Sequence, residues 1–216
     1  MYSQFADLLP QGHSYIQAYN QHRTTFGGAN IVTAVLQVEE GDIFTKKNLE
    51  KVRYLTDQLD SITGVDHNQV ASLSHVKIRN IKTLPGGMVR SYPVLPVDVP
   101  EDENELTAMK FEMFNNDIVM NKYVSEDGKA ALVLAGFNED RLDYREIQRE
   151  ITRIRAEIED ENTKVYVAGE PALKGWVWFF TNELFLIFSF TGVMVLLALI
   201  ISVSYTHLTL PTILIV

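Results

Sequence analysis

The sequence predicts an α+β domain followed by one transmembrane helix. Three observations carry that expectation. Residues 1–174 carry nearly all the charge: from Gly175 to Val216 the only acid is Glu183, and there is no Lys or Arg. Short runs rich in β-branched residues alternate with longer runs of helical apolar spacing before that point. Residues 184–203, LFLIFSFTGVMVLLALIISV, hold no charge at all. A helix of that length rises about 30 Å, which matches the hydrocarbon core of a bilayer.

Taken in order, Phe5 to Leu9 is a short apolar stretch stopped by Pro10-Gln11-Gly12. Residues 14–24 are weakly helical, and Gly27-Gly28 breaks that pattern. Residues 30–38 are β-branched and predict a strand. Residues 45–60 place Leu49, Val52, Leu55 and Leu59 at helical spacing, with Thr45 as N-cap. Val65 to Leu73 reads as a second strand. Residues 76–81 and 88–92 flank Pro85-Gly86-Gly87, which predicts a hairpin.

Residues 93–105 form an acidic link whose prolines favour an extended path. Residues 103–115 predict a helix with Leu106, Met109 and Phe114 turned inward, and residues 118–124 a short strand. The Glu126-Asp127-Gly128 turn leads into an apolar strand over 130–137. Residues 143–160 give the clearest helix, with Ile147, Ile151, Ile154 and Ile158 spaced by four, three and four. Asp143 opens it, where a carboxylate suits the helix dipole. Residues 164–168 read as a final strand ended by Gly169-Glu170-Pro171. The outer elements match the split β-α-β order of a ferredoxin-like sandwich, with the hairpin and the 103–115 helix as an insertion.

A soluble core helix as long as 184–203 would usually keep a polar face, and this stretch has none. Trp176, Trp178, Phe179 and Phe180 precede it, where aromatic rings anchor chains at headgroup level. A short amphipathic helix in the interface plane would put the same four residues at the membrane surface. Orientation does not follow from charge, because Lys174 is the only nearby base. Residues 204–216, SYTHLTLPTILIV, resemble a tail that recurs where sequencing-adapter DNA has been translated. They are expected to be non-native and are left out of the fold argument.

Several functions are disfavoured by composition. The net charge is -9, from 28 acids against 19 bases, which argues against nucleic acid as partner. There is no cysteine, so disulfides, thiol nucleophiles and cysteine metal sites are excluded. His13, His22, His67, His75 and His207 make no ligand spacing, and surface or hydrogen-bonding roles suffice for them. Gly27-Gly28 and Gly86-Gly87 lack any phosphate-loop context. The acids of Glu139-Asp140-Arg141-Leu142-Asp143 read as helix capping and a surface Asp–Arg pair. No catalytic, cofactor or metal set is expected, so the chain does not read as an enzyme.

The stretch 139–176, with EDRLDYREI and EDENTKVYVAGEPALKGW, resembles the RND superfamily of exporters, in particular its MMPL-like, hydrophobe-transporting branch. The opening FADLLPQGHSYIQAYNQHRTTFGGANIVTAVLQV resembles the stretch after the first membrane helix of that family. The resemblance implies a fragment of a proton-driven bacterial inner-membrane exporter of lipidic or hydrophobic compounds. Residues 1–25 would be the lead-in after a first membrane helix, and 26–174 the extracytoplasmic porter domain. Residues 176–203 would be an interfacial segment and the second membrane helix. Implied partners are the lipid bilayer, a lipidic substrate, the remaining membrane helices and a second porter domain, with a homo-oligomer in view. The family's proton relay uses ionisable residues of later helices. Residues 184–203 contain none, so no relay residue is carried over and the fragment alone is expected to be inactive. The alternative is a single-pass, membrane-anchored structural or sensory domain that binds a partner protein.

Overall fold

Residues 9–26, 30–138 and 141–213 are described in the computed structural model of the chain. Residues 5–8 of the opening apolar stretch, Gly27-Gly28 and Glu139-Asp140, on which some sequence expectations fell, lie outside the described residues. The chain divides into two compact units, Met1–Gly175 and Trp176–Val216.

The first unit is built on a four-stranded antiparallel sheet. Its strands are β1 (Ile31–Val38), β2 (Ala71–Ser72), β5 (Ala130–Gly136) and β6 (Thr163–Ala168), in the order β2-β5-β1-β6. Among the described residues the other strands, β3 (Arg79–Thr83) and β4 (Val89–Pro93), pair with each other and with no third strand. Register is set by burial. In β1 the alternate residues Val32, Ala34, Leu36 and Val38 are buried, and Ala34 faces Val133 of β5 and Val167 of β6. A slip by one residue would turn that set to the opposite face.

Against this face lie α2 (Lys46–Asp60) and α4 (Tyr144–Ile158). α2 meets β5, α4 meets β6, and the two helices meet each other. Leu49, Val52, Leu55 and Leu59 of α2 and Ile147, Ile151, Ile154 and Ile158 of α4 are all buried, as their spacing predicts. Thr45 caps α2 by accepting from the Asn48 amide, and Asp143 caps α4 by accepting from the Arg145 and Glu146 amides. Burial raises the Asp143 pKa, but those amide bonds outweigh it and hold the carboxyl below its usual range. The helical reading of 14–24 corresponds to α1 (Ser14–Phe26).

Three expectations need correction. Val65 to Leu73 is not one strand. Asp66 accepts from the Asn68 amide and starts a 3-10 turn over His67–Gln69, which leaves Val65 a single antiparallel bridge to Phe137 and Ala71–Ser72 as the paired strand. Residues 118–124 are a turn rather than a strand. Asn116 Oδ1 accepts from the Ile118 amide at 2.9 Å, and Asn121 takes φ 60°. In α3 (Glu103–Phe114) the fully buried residue is Met113, whereas Phe114 is partly exposed and rests on Phe44 with ring centroids 5.5 Å apart. On α4 the ion pairs are Arg153 with Glu150 and Glu157, and Arg155 with Glu159. Glu146 accepts from the Thr63 hydroxyl at 2.9 Å.

The insertion between β2 and β5 is tied to this body by polar contacts. Arg53 of α2 donates to the carbonyls of Pro96 and Val97. Lys110 of α3 meets Asp42, and Lys46 meets Glu101. Among the described residues no buried side-chain polar atom lacks a partner.

The second unit consists of most of α5 (Glu170–Ile213). Its stretch Glu170–Val203 is long and apolar enough to cross a membrane, and none of its most apolar window is buried within the protein.

Candidate functional site

The chain passes from sheet to long helix at Gly169. Its φ of +119° is a conformation that side-chain-bearing residues rarely adopt. A Cβ there would overlap the Ile31 carbonyl oxygen of β1 and lie 3.2 Å from the Val32 Cα. The strand ends at Ala168, as the sequence predicts, and Glu170 and Pro171 begin α5. Proline fits the first turn of a helix, where its missing N–H is not needed, and Glu170 suits the positive end of the dipole.

One turn on, the Lys174 ammonium meets Glu170 at 2.6 Å. It also lies 3.4 Å from the Tyr144 hydroxyl and 5.1 Å from that ring's centroid. Burial draws the Lys174 pKa down, but Glu170 and Tyr144 outweigh it, and the net shift is upward. The group therefore stays charged at neutral pH. Gly175 lies against α4 so closely that a Cβ would sit 2.5 Å from the Tyr144 carbonyl oxygen and 2.7 Å from Gln148 Cβ.

The four aromatic residues singled out in the sequence lie at the start of the second unit. Trp176 and Phe180, one turn apart, stack with ring centroids at 4.2 Å and planes tilted by 47°. Phe179 meets Phe180 edge-on at 6.2 Å. Trp176, Phe179 and Phe180 are exposed, and Trp178 is half-buried. At about 100° per residue these positions surround the helix instead of forming one face. The same holds beyond them, where Phe185, Leu186, Ile187 and Phe188 are all exposed on consecutive positions. A helix apolar all round is found in a large core or in a membrane. The hydroxyls of Thr181 and Thr191 donate to the carbonyls of Val177 and Ile187, each at 2.8 Å, so these polar groups are satisfied within the helix.

A second feature was not legible in the sequence. β3, α3 and residues 115–118 border a cleft of about 530 Å³. Ile81, Phe111 and Ile118 give it exposed apolar surface, beside Arg79, Lys82 and Glu112. Lys82 donates to Glu112, which also accepts from the Tyr92 hydroxyl at 3.0 Å. The Lys82 contact is the larger influence on Glu112 and holds its carboxyl below the usual range. Asn116 donates to Asn80 and fixes the turn against the ribbon. These residues come from three separate stretches, so no spacing rule brings them together.

His67 and His75 take up different roles. His67 Nδ1 lies 2.6 Å from the Asp60 carboxylate. His75 is partly buried, which pushes its pKa down, and Lys77 adds to that. Among the described residues no group of three or more His, Asp or Glu side chains is placed to hold a metal ion.

The MMPL family model matches residues 7–216. The chain belongs to the MMPL family. Membership makes it a membrane protein of transport-related function, and it agrees with the resemblance in residues 5–38 and 139–176. The match takes in residues 204–216, which were expected from the sequence to be non-native. Among curated proteins none matches the chain.

Proposed function

We propose that this MMPL-family chain is part of a proton-driven exporter of lipidic or hydrophobic compounds in a bacterial inner membrane. Residues 26–174 form its extracytoplasmic porter domain, and residues 184–203 cross the bilayer. Trp176, Trp178, Phe179 and Phe180 sit at headgroup level. The chain binds and anchors rather than catalyses. The observation that carries this reading is the family match across almost the whole chain. The charge-free, all-round apolar stretch of α5 supports the span.

The porter domain is assigned to the ferredoxin-like class. What supports this is the order β2-β5-β1-β6, all antiparallel, with α2 between the first two strands in sequence and α4 between the last two. The partners are the bilayer, a lipidic substrate, further membrane helices and a second porter domain. The proton relay belongs to those further helices, since residues 184–203 carry no ionisable side chain.

The test is transport by the whole protein that contains this segment, purified and reconstituted in proteoliposomes. A hydrophobic fluorescent probe should move across the bilayer when a proton gradient is applied, and stop moving on addition of a protonophore. Gradient-independent movement, or none, refutes the exporter reading. A flanking gene sequence that encodes no further charge-free spans would favour the single-pass anchored domain instead.

A further inference from the structure

Residues 67–97 run against the acidity of the chain. They hold Lys77, Arg79, Lys82 and Arg90 and no acid, in a protein of net charge -9. Within them β3 and β4 form a ribbon that no third strand joins among the described residues. Lys82 and Arg90 stand directly opposite each other in its register. Like charges in that position are destabilising. Glu112 neutralises Lys82, whereas among the described residues Arg90 faces the Tyr92 ring, 5.9 Å from its centroid, and no carboxylate. Beyond the two cations, Met88 and Val89 are 64% and 67% exposed around the Pro85-Gly86-Gly87 turn. A cationic collar below an apolar tip is an arrangement that a partner of opposite charge would stabilise.

The matching surface is on the same chain. Residues 97–105 hold Asp98, Glu101, Asp102, Glu103 and Glu105 and no base. Residues 101–105 are all exposed, and Val97 is 81% exposed. Of these acids, Glu101 is the one that an ion pair neutralises among the described residues, through Lys46. The link is held on α2 through Arg53, whereas the ribbon is held on α3 through Glu112, so each surface is fixed by its own contacts. We propose that the β3–β4 ribbon of one copy docks on the acidic 97–105 link of a second copy. Arg90 pairs with the Glu103–Glu105 carboxylates, and the Met88–Val89 tip covers Val97. The contact is head-to-tail, so it builds a ring if the rotation closes. An anionic lipid surface would also match the cations. The second copy is favoured because the acidic link offers both the carboxylates and the exposed Val97 that the ribbon matches.

The absence of cysteine makes the test clean. Full chains carrying Met88→Cys are co-reconstituted in proteoliposomes with full chains carrying Glu103→Cys, and Thr152→Cys on α4 serves as the non-contact control. Mild oxidation should give mixed dimers well above the control. Arg90→Glu on the first copy should lower the yield about fivefold, the upper range for one exposed ion pair. Glu105→Arg on the second copy should restore it. Mixed dimers no more abundant than the control, or a yield that ignores Arg90→Glu, overturns the proposal. So do Met88→Cys copies that cross-link only with each other. Protection of Met88→Cys from a water-soluble maleimide by anionic but not neutral lipid, without mixed dimers, assigns the ribbon to the bilayer and likewise overturns it.

Discussion

Replacing Gly169 by alanine perturbs the point where sheet becomes helix. Two costs combine there. The backbone sits at φ +119°, and holding an L-residue in a positive-φ conformation costs about 1–2 kcal/mol. The new Cβ would also overlap the Ile31 carbonyl oxygen, a backbone atom fixed by the pairing of β1 with β5. Relieving such an overlap costs a further 1–3 kcal/mol or so. The sum, about 2–5 kcal/mol, is a large part of the roughly 5–15 kcal/mol that holds a domain folded. Gly41 is the control. Its φ is +83°, but nothing lies within 4 Å of its Cβ position, so Gly41→Ala should show the backbone cost alone. The assay is urea unfolding of the full chain in detergent, followed by amide exchange of β1. Gly169→Ala should unfold at clearly lower urea than Gly41→Ala. Equal midpoints would refute the claim that close approach to β1 fixes the handover.

Gly175→Ala should also destabilise, although alanine is the better helix former by about 1 kcal/mol, because the Tyr144 carbonyl 2.5 Å from the new Cβ cannot move aside; a stabilised variant in the same urea assay would contradict this. Leu36→Ala, at a fully buried site in the central strand, should cost about 2–5 kcal/mol, read as a lowered urea midpoint. Asp160 accepts from Lys47 and Lys51, which hold its carboxyl far below the usual range. A depressed carboxyl adds stability above its unfolded pKa and loses it as pH falls through the folded value. The wild-type Tm should therefore drop on acidification below about pH 4 by more than that of Asp160→Asn, which lacks this group; parallel Tm curves would contradict the assignment.

The elements that were legible in the sequence share one property: a long apolar period that burial enforces. The Ile147–Ile158 stripe and the alternation of β1 are of this kind. Where reading failed, a short polar side chain redirected the backbone. Asp66 and Asn116 each accept a nearby amide and convert apolar runs, which looked like strands, into turns. The ring contacts of Trp176, Phe179 and Phe180 join residues that lie close together in the chain. The cleft and the Lys174–Glu170–Tyr144 cluster were not legible, because they depend on α3 meeting β3 and on α4 meeting the first turn of α5.

The central claim is a helix through the bilayer with the folded domain on the extracytoplasmic side. Residues 1–216 hold no cysteine, and two single variants within them test it in intact cells against the unsubstituted protein. Ser91→Cys, on the exposed strand β4, should react with a maleimide that enters the periplasm but does not cross the inner membrane, and Val195→Cys should not react even after lysis. Labelling of Ser91→Cys only after lysis, or of Val195→Cys at a comparable rate, would contradict it.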